Sequence, residues 1–162
     1  MTNGSPGIDR RYLTFMLGSE NYAVPLGKIQ EVIAYSEPTR MPNTPLHFKG
    51  VINLRGQVIP IIDLRLKLKF NEAPRSQETA IIILDLNPLC VGIVVDQIDA
   101  VMAISAEDLS DPPEIGSTNK TDYIASIARV SKKLVMILDI EKALEVEDLI
   151  AMKNFQNQKL VA

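Results

Sequence analysis

The sequence predicts a mainly β protein, with two small five-stranded barrels around a shared hydrophobic core, short helices and one C-terminal helix. Three observations carry this. Short runs rich in Ile, Val and Leu recur along the chain, and turn residues separate them. The two halves align with each other without gaps inside each matched block. One segment alone, near the C-terminus, has a convincing helical period.

Nine runs read as strands: 12–17, 21–26, 51–54, 58–64, 79–86, 89–95, 99–104, 123–130 and 133–140. "SEN", "NP", "RGQ" and "SKK" read as the turns of four hairpins. Placing 12–36 over 81–105, an offset of 69, puts Leu17 on Leu86, Ile29 on Ile98, Val32 on Val101 and Ser36 on Ser105. Placing 50–68 over 126–144, an offset of 76, puts Ile61 on Ile137, Asp63 on Asp139 and Leu68 on Leu144. The repeated unit is a hairpin, a short helical turn, a strand, a loop and a second hairpin. About five strands per copy suits a small barrel. A copy of roughly 60 residues is marginal alone, so the two copies must bury a common core.

This organisation gives a flexible tail at 1–10 and a single domain at 11–155, with a frayed tail at 156–162. Within the domain, the first barrel is expected at about 11–70, the second at about 79–140 and a helix at about 141–155. The polar joint 69–79, with one proline, separates the copies. Asp63 and Asp139 each end a strand and precede a short amphipathic run, which predicts that both cap a helix. The acidic loop 105–123 is expected at the surface, with one helical turn at 106–109.

Composition narrows the function. Net charge is −3, against the basic face expected of a nucleic-acid binder. No apolar run approaches membrane-spanning length, and the polar N-terminus lacks the apolar core of a signal peptide, so a cytoplasmic protein without membrane insertion is expected. Cys90, the single cysteine, lies in the apolar run "LCVGIVV" and reads as a buried, inert thiol. His47 is the single histidine, so no Cys/His metal cluster forms, and a Ser/Cys–His nucleophile would need it beside Cys90 or a serine. Asp96 and Asp99 are spaced as an acid/base pair, but charged pairs at such turns usually face water. No glycine-rich phosphate cradle occurs. A binding module is the expectation.

The hairpin "GVINLRGQVIPIIDL" has two apolar arms and an arginine, Arg55, at its tip. A guanidinium there can fork onto carboxylates or carbonyls of a partner, or it can pair with Glu31 at the surface.

"FKGVINLRGQVIPIIDLRLKL", "GSENYAVPLGKIQEVI" and "TRMPNTPLHFKG" resemble the signature segments of the CheW family of bacterial chemotaxis adaptors, and "VGIVVDQIDAVMAI" looks like the matching stretch of the second half. The resemblance covers residues 11–150 or so. It implies two SH3-like barrels and an adaptor with neither catalysis nor cofactor. Such an adaptor couples the cytoplasmic tips of chemoreceptors (methyl-accepting chemotaxis proteins) to the regulatory domain of the histidine kinase CheA. By matching, receptor contacts fall on Ile29, Glu31 and Arg55, and kinase contacts near Ala80 and Ile98. For Ile29 and Ile98, core packing is the competing expectation. The rivals are an adaptor of another chemosensory pathway, serving pili or gliding, and an enzyme with a small-molecule site between the barrels.

Overall fold

The computed structural model describes residues 10–71, 73–86, 89–112 and 123–144. The N-terminal tail at 1–9, the expected C-terminal helix beyond 144, the frayed tail and the middle of the acidic loop lie outside the described residues.

The first half forms β1 (Arg11–Leu17), β2 (Glu20–Pro25), a 3₁₀ turn at Leu26–Lys28, β3 (Ile29–Ala34), β4 (Phe48–Leu54), β5 (Gln57–Asp63) and α1 (Leu64–Lys67). The second forms β6 (Ala80–Asp85), β7 (Cys90–Val95), β8 (Gln97–Ala103), a 3₁₀ turn at Ala106–Asp108, β9 (Leu109–Ser110), β10 (Ile124–Val130), β11 (Lys133–Leu138) and α2 (Ile140–Ala143). Strand β3 is not among the nine runs and was implied only by the repeated unit. The two-residue β9 was not foreseen.

Both aspartates cap as expected. Asp63 Oδ1 accepts from the Leu66 N–H at 3.3 Å, and Asp139 Oδ1 accepts from the Lys142 N–H at 3.2 Å. Helix α1 ends in a left-handed residue, Lys69 (φ 70°), with the Phe70 N–H reaching back to Arg65 O at 2.7 Å. That is a Schellman stop made without glycine.

The repeat extends to the irregularities. Gln30 is bulged where β3 pairs β6, and Asp99, its mate, is bulged where β8 pairs β1. Lys49 and its mate Ala125 are bulged in the β4–β5 and β10–β11 hairpins. Each half also closes on itself after its third strand. Thr39 bridges Val51 with hydrogen bonds of 2.8 and 2.9 Å, and Ser110 pairs Ile127, the mate of Val51.

The sheets do not follow the halves. One has the order β3-β6-β7-β5-β4, the other β8-β1-β2-β11-β10-β9. Each takes its first hairpin from one half and its remaining strands from the other. The contiguous division at about 11–70 and 79–140 is therefore replaced by an exchange of the leading hairpins. Two equivalent parallel joints splice them, with Ile61 opposite Gly92 in one and Ile137 opposite Ala23 in the other. A Cβ on Gly92 would lie 2.6 Å from Ile61 Cδ1, and only a very small residue fits at such a joint.

This exchange explains why "AIIIL" and "CVGIVV" are apolar at every position: both faces are covered. Ile81, Ile83 and Val94 face the interior of the first sheet, together with Ile52, Ile59 and Ile61. Ile82, Leu84, Val91 and Ile93 face the shared core between the sheets, against Leu13, Phe15, Tyr22 and Leu138. A third, smaller cluster around Ala23, Ile104, Ala128 and Ile137 fills the second sheet. Fully burying each such aliphatic side chain stabilises by about 1.5–3 kcal/mol, so the shared core dominates the fold.

Candidate protein-interaction site

The β4–β5 hairpin turns in two residues, with Arg55 at φ 51° and Gly56 at φ 85°. Positive φ at both central positions matches the right-handed twist of the arms. Asn and Gly are the ordinary choice there, and Arg55 has no conformational advantage over them. The Gly56 N–H donates to Asn53 Oδ1 at 2.9 Å and stiffens the loop. At this rigid tip the Arg55 side chain is 66% exposed and forms an ion pair with Glu31, which is 27% exposed.

Glu31 lies on β3, and β3 and β4 are opposite edges of one sheet. The Arg55–Glu31 pair and the Thr39–Val51 bridge show the sheet curling until its edges meet. The bulge at Gln30 sets the phase. Before it, Ile29 turns inward and packs on the shared core. After it, Ile33 packs into the sheet interior, and Val32 points outward, 41% exposed.

The second half repeats this. Ile98 packs against the shared core, and Val101, the mate of Val32, is 53% exposed. Ala80 is 7% exposed, with its side chain in the shared core. The structure thus brings Glu31 and Arg55 together, packs Ile29 and Ile98 against the core while leaving both partly exposed, and buries most of Ala80. The exposed apolar contacts on these strands are Val32 and Val101, which the sequence reading passed over. Their signal was present in the alignment, where a valine occupies the same place in both copies.

The remaining reactive groups have structural partners. Cys90 is buried, and its Sγ lies 3.3 Å from Gln30 Oε1; burial pushes its thiol pKa up. The carbonyl of His47 accepts from the Asp63 N–H at 2.8 Å. Asp96 accepts from Arg65 Nε at 3.0 Å to each oxygen and from the Gly18 N–H at 2.6 Å. Asp99 lies 3.2 Å from the buried Thr14 hydroxyl. These two carboxylates serve separate structural contacts.

Residues 11–148 match the model of the CheW-like domain, which is most of the chain. The chain belongs to the CheW-like family. It is 36% identical over 147 residues to the chemotaxis protein CheW of Klebsiella aerogenes, covering 91% of this chain and 89% of that protein. It is 33% identical over 138 residues to the chemotaxis protein CheW of Bacillus subtilis, covering 85% and 88%. The fold is similar to the crystal structure of the scaffolding protein TtCheW from Thermoanaerobacter tengcongensis, with a TM-score of 0.78 and 28% identity over 86% of this chain and 95% of that one. Among the described residues no helix is long and apolar enough to cross a membrane.

Proposed function

We propose that this chain is a non-catalytic adaptor that couples the cytoplasmic tips of chemoreceptors to the regulatory domain of the histidine kinase CheA. It works in the cytoplasm, at the receptor array. The chain is a chemotaxis scaffold by family, and its chemistry lies in surfaces. Arg55 carries the receptor reading. A guanidinium fork stands on a stiff hairpin tip, in a conformation that favours another residue type. Glu31 orients it, and Val32 supplies adjacent apolar surface. A helical receptor tip with an apolar stripe and flanking carboxylates or free carbonyls fits this arrangement. Strand β8, with Val101 outermost and Ile98 behind it, is the corresponding kinase-facing surface.

Arg55→Ala should weaken binding of a receptor cytoplasmic fragment by about 2 kcal/mol, while the melting temperature stays put. Arg55→Lys should restore only part of that, since the planar fork is lost. Unchanged affinity in Arg55→Ala would reduce the tip to a solvated turn. For the kinase face, Val101→Asp is the cleaner probe because Val101 is exposed. Binding to the CheA regulatory domain should fall at least tenfold with the fold intact, and an unaltered affinity would remove β8 from that interface. An adaptor of another chemosensory pathway would use the same surfaces, and the choice of receptor fragment that binds separates the two readings.

A further inference from the structure

A cleft of about 240 Å³ lies away from the hairpin tip, lined by Tyr35, Glu37, Arg40, Lys49, Ala73, Pro74 and Arg75. In a chain of net charge −3 its walls carry three cations and one carboxylate. The walls are pinned. The Tyr35 N–H donates to Thr79 O at 3.2 Å, the Thr39–Val51 bridge holds the backbone before Arg40, and the Ser76 N–H donates to Thr79 Oγ1 at 2.9 Å. Arg75 is fixed from two sides. Its guanidinium sits 4.6 Å from the Tyr35 ring centre, and one terminal nitrogen lies 3.4 Å from buried Asp63. A guanidinium has five N–H donors, so that contact leaves others for a second acceptor. Glu37 is engaged by the Tyr35 hydroxyl at 3.2 Å. Lys49 occupies the bulge of the β4–β5 hairpin, a device that re-aims a side chain.

The internal repeat supplies a control. The place of Tyr35 is taken by Ile104 in the second half, and that of Lys49 by Ala125. The residue after the closing bridge is Arg40 in the first half and Asp111 in the second. The corresponding closure of the second half is therefore built without cations at the places of Arg40 and Lys49, so the repeated unit does not require those two.

We propose that this cleft binds a small phosphate-type oxyanion, with Arg40, Lys49 and Arg75 as its donors. Even with Arg75 offset by Asp63 the walls keep an excess of positive charge, and a phosphate has several terminal oxygens that can take donors from different sides. The volume is below the ~300–1,000 Å³ of drug-sized sites and suits inorganic phosphate or a phosphorylated side chain better than a nucleotide.

The test is an amide NMR titration of the full chain at constant ionic strength. Separate arms use inorganic phosphate, phosphoserine, succinate and chloride. Saturable shifts centred on Tyr35, Arg40, Lys49 and Arg75 are expected with the two phosphates. Affinity should fall at least fivefold in Arg40→Gln and in Lys49→Gln, with melting temperatures unchanged. Tighter binding of phosphoserine than of inorganic phosphate assigns the site to a phosphorylated side chain, and the reverse assigns it to the free ion. Unsaturable drift, an equal response to succinate or chloride, or undiminished affinity in both variants would overturn the proposal.

Discussion

Arg65 on α1 and Glu141 on α2 hold equivalent places in the repeat, and each pairs with the opposite half of the chain. Arg65 grips Asp96 through Nε and a terminal nitrogen (2.9–3.0 Å), while Asp96 also takes the Gly18 N–H. Glu141 meets Lys28 through one contact of 2.8 Å. The first pair is 18% and 30% exposed, the second 39% and 49%. The signs are reversed, yet both pairs tie a capped helix to the segment leading into a third strand. The repeat preserves where a clasp sits and leaves its chemistry free. The clasp that is shielded and has more partners contributes more.

The sharpest break in the symmetry is at Gly50, whose mate is Ser126. Gly50 has φ 128°, and a Cβ there would overlap the Thr39 carbonyl of the closing bridge. Gly50→Ala should destabilise by about 3 kcal/mol or more, whereas Ser126→Ala should stay within about 1 kcal/mol. Chemical denaturation of both variants measures the contrast, and equal effects would mean that the two closures are built alike. Next comes the clasp itself. Arg65→Ala should cost about 1.5–3 kcal/mol, the range for charged hydrogen bonds partly shielded from water. Reversing both signs, with Arg65→Glu and Asp96→Lys, should recover only part, because a lysine cannot accept from the Gly18 N–H. Full recovery would show that charge alone holds the halves at this point.

A smaller contrast lies in the shared core, where Tyr22 stands opposite its mate Val91 in the repeat. Burial, with nearby Tyr123 and Glu20 adding to it, raises the Tyr22 pKa from 10.0 to about 12. A raised folded-state pKa means that this contribution is whole below pH 10 and is lost as pH rises toward about 12, since the unfolded chain sheds the proton first. Tyr22→Phe should flatten the alkaline loss of stability, and an unchanged slope in urea unfolding would place its cause at other groups. The smallest effect is expected from Lys28→Ala, at most about 1 kcal/mol for an exposed pair. A cost equal to that of Arg65→Ala would defeat the shielding argument.

The hairpins, both aspartate caps and the two-copy design were legible because each rests on local chemistry: turn residues, an N-cap oxygen, a repeated apolar phase. Strand partners were not. An all-apolar run such as "AIIIL" says that both faces are covered but not by which strand, so the exchanged hairpins stayed hidden. The same limit hid which residues of β3 point outward. One bulged residue, Gln30, turns Ile29 inward and leaves Val32 outward, and no residue type in "KIQEVI" announces a bulge. The pairing of Glu31 with Arg55 was foreseen as one of two outcomes, although the two residues come from opposite edges of the sheet. The bond of Asp96 to Arg65 was missed because its partner comes from the other half.

The exchanged leading hairpins have a consequence for ancestry. In each copy the two strands of the leading hairpin pair with each other, and every further sheet partner they have lies in the other copy. Two separate copies meeting in solution would have to trade hairpins to complete either sheet, which is how a domain-swapped homodimer is made. The joint between the copies then acts as a tether that raises the effective concentration of each copy for the other. A duplication fused in this way lets the two faces diverge, one toward cations at Arg40 and Lys49 and the other toward Asp111 and Ala125, which a symmetric pair of identical chains could not do.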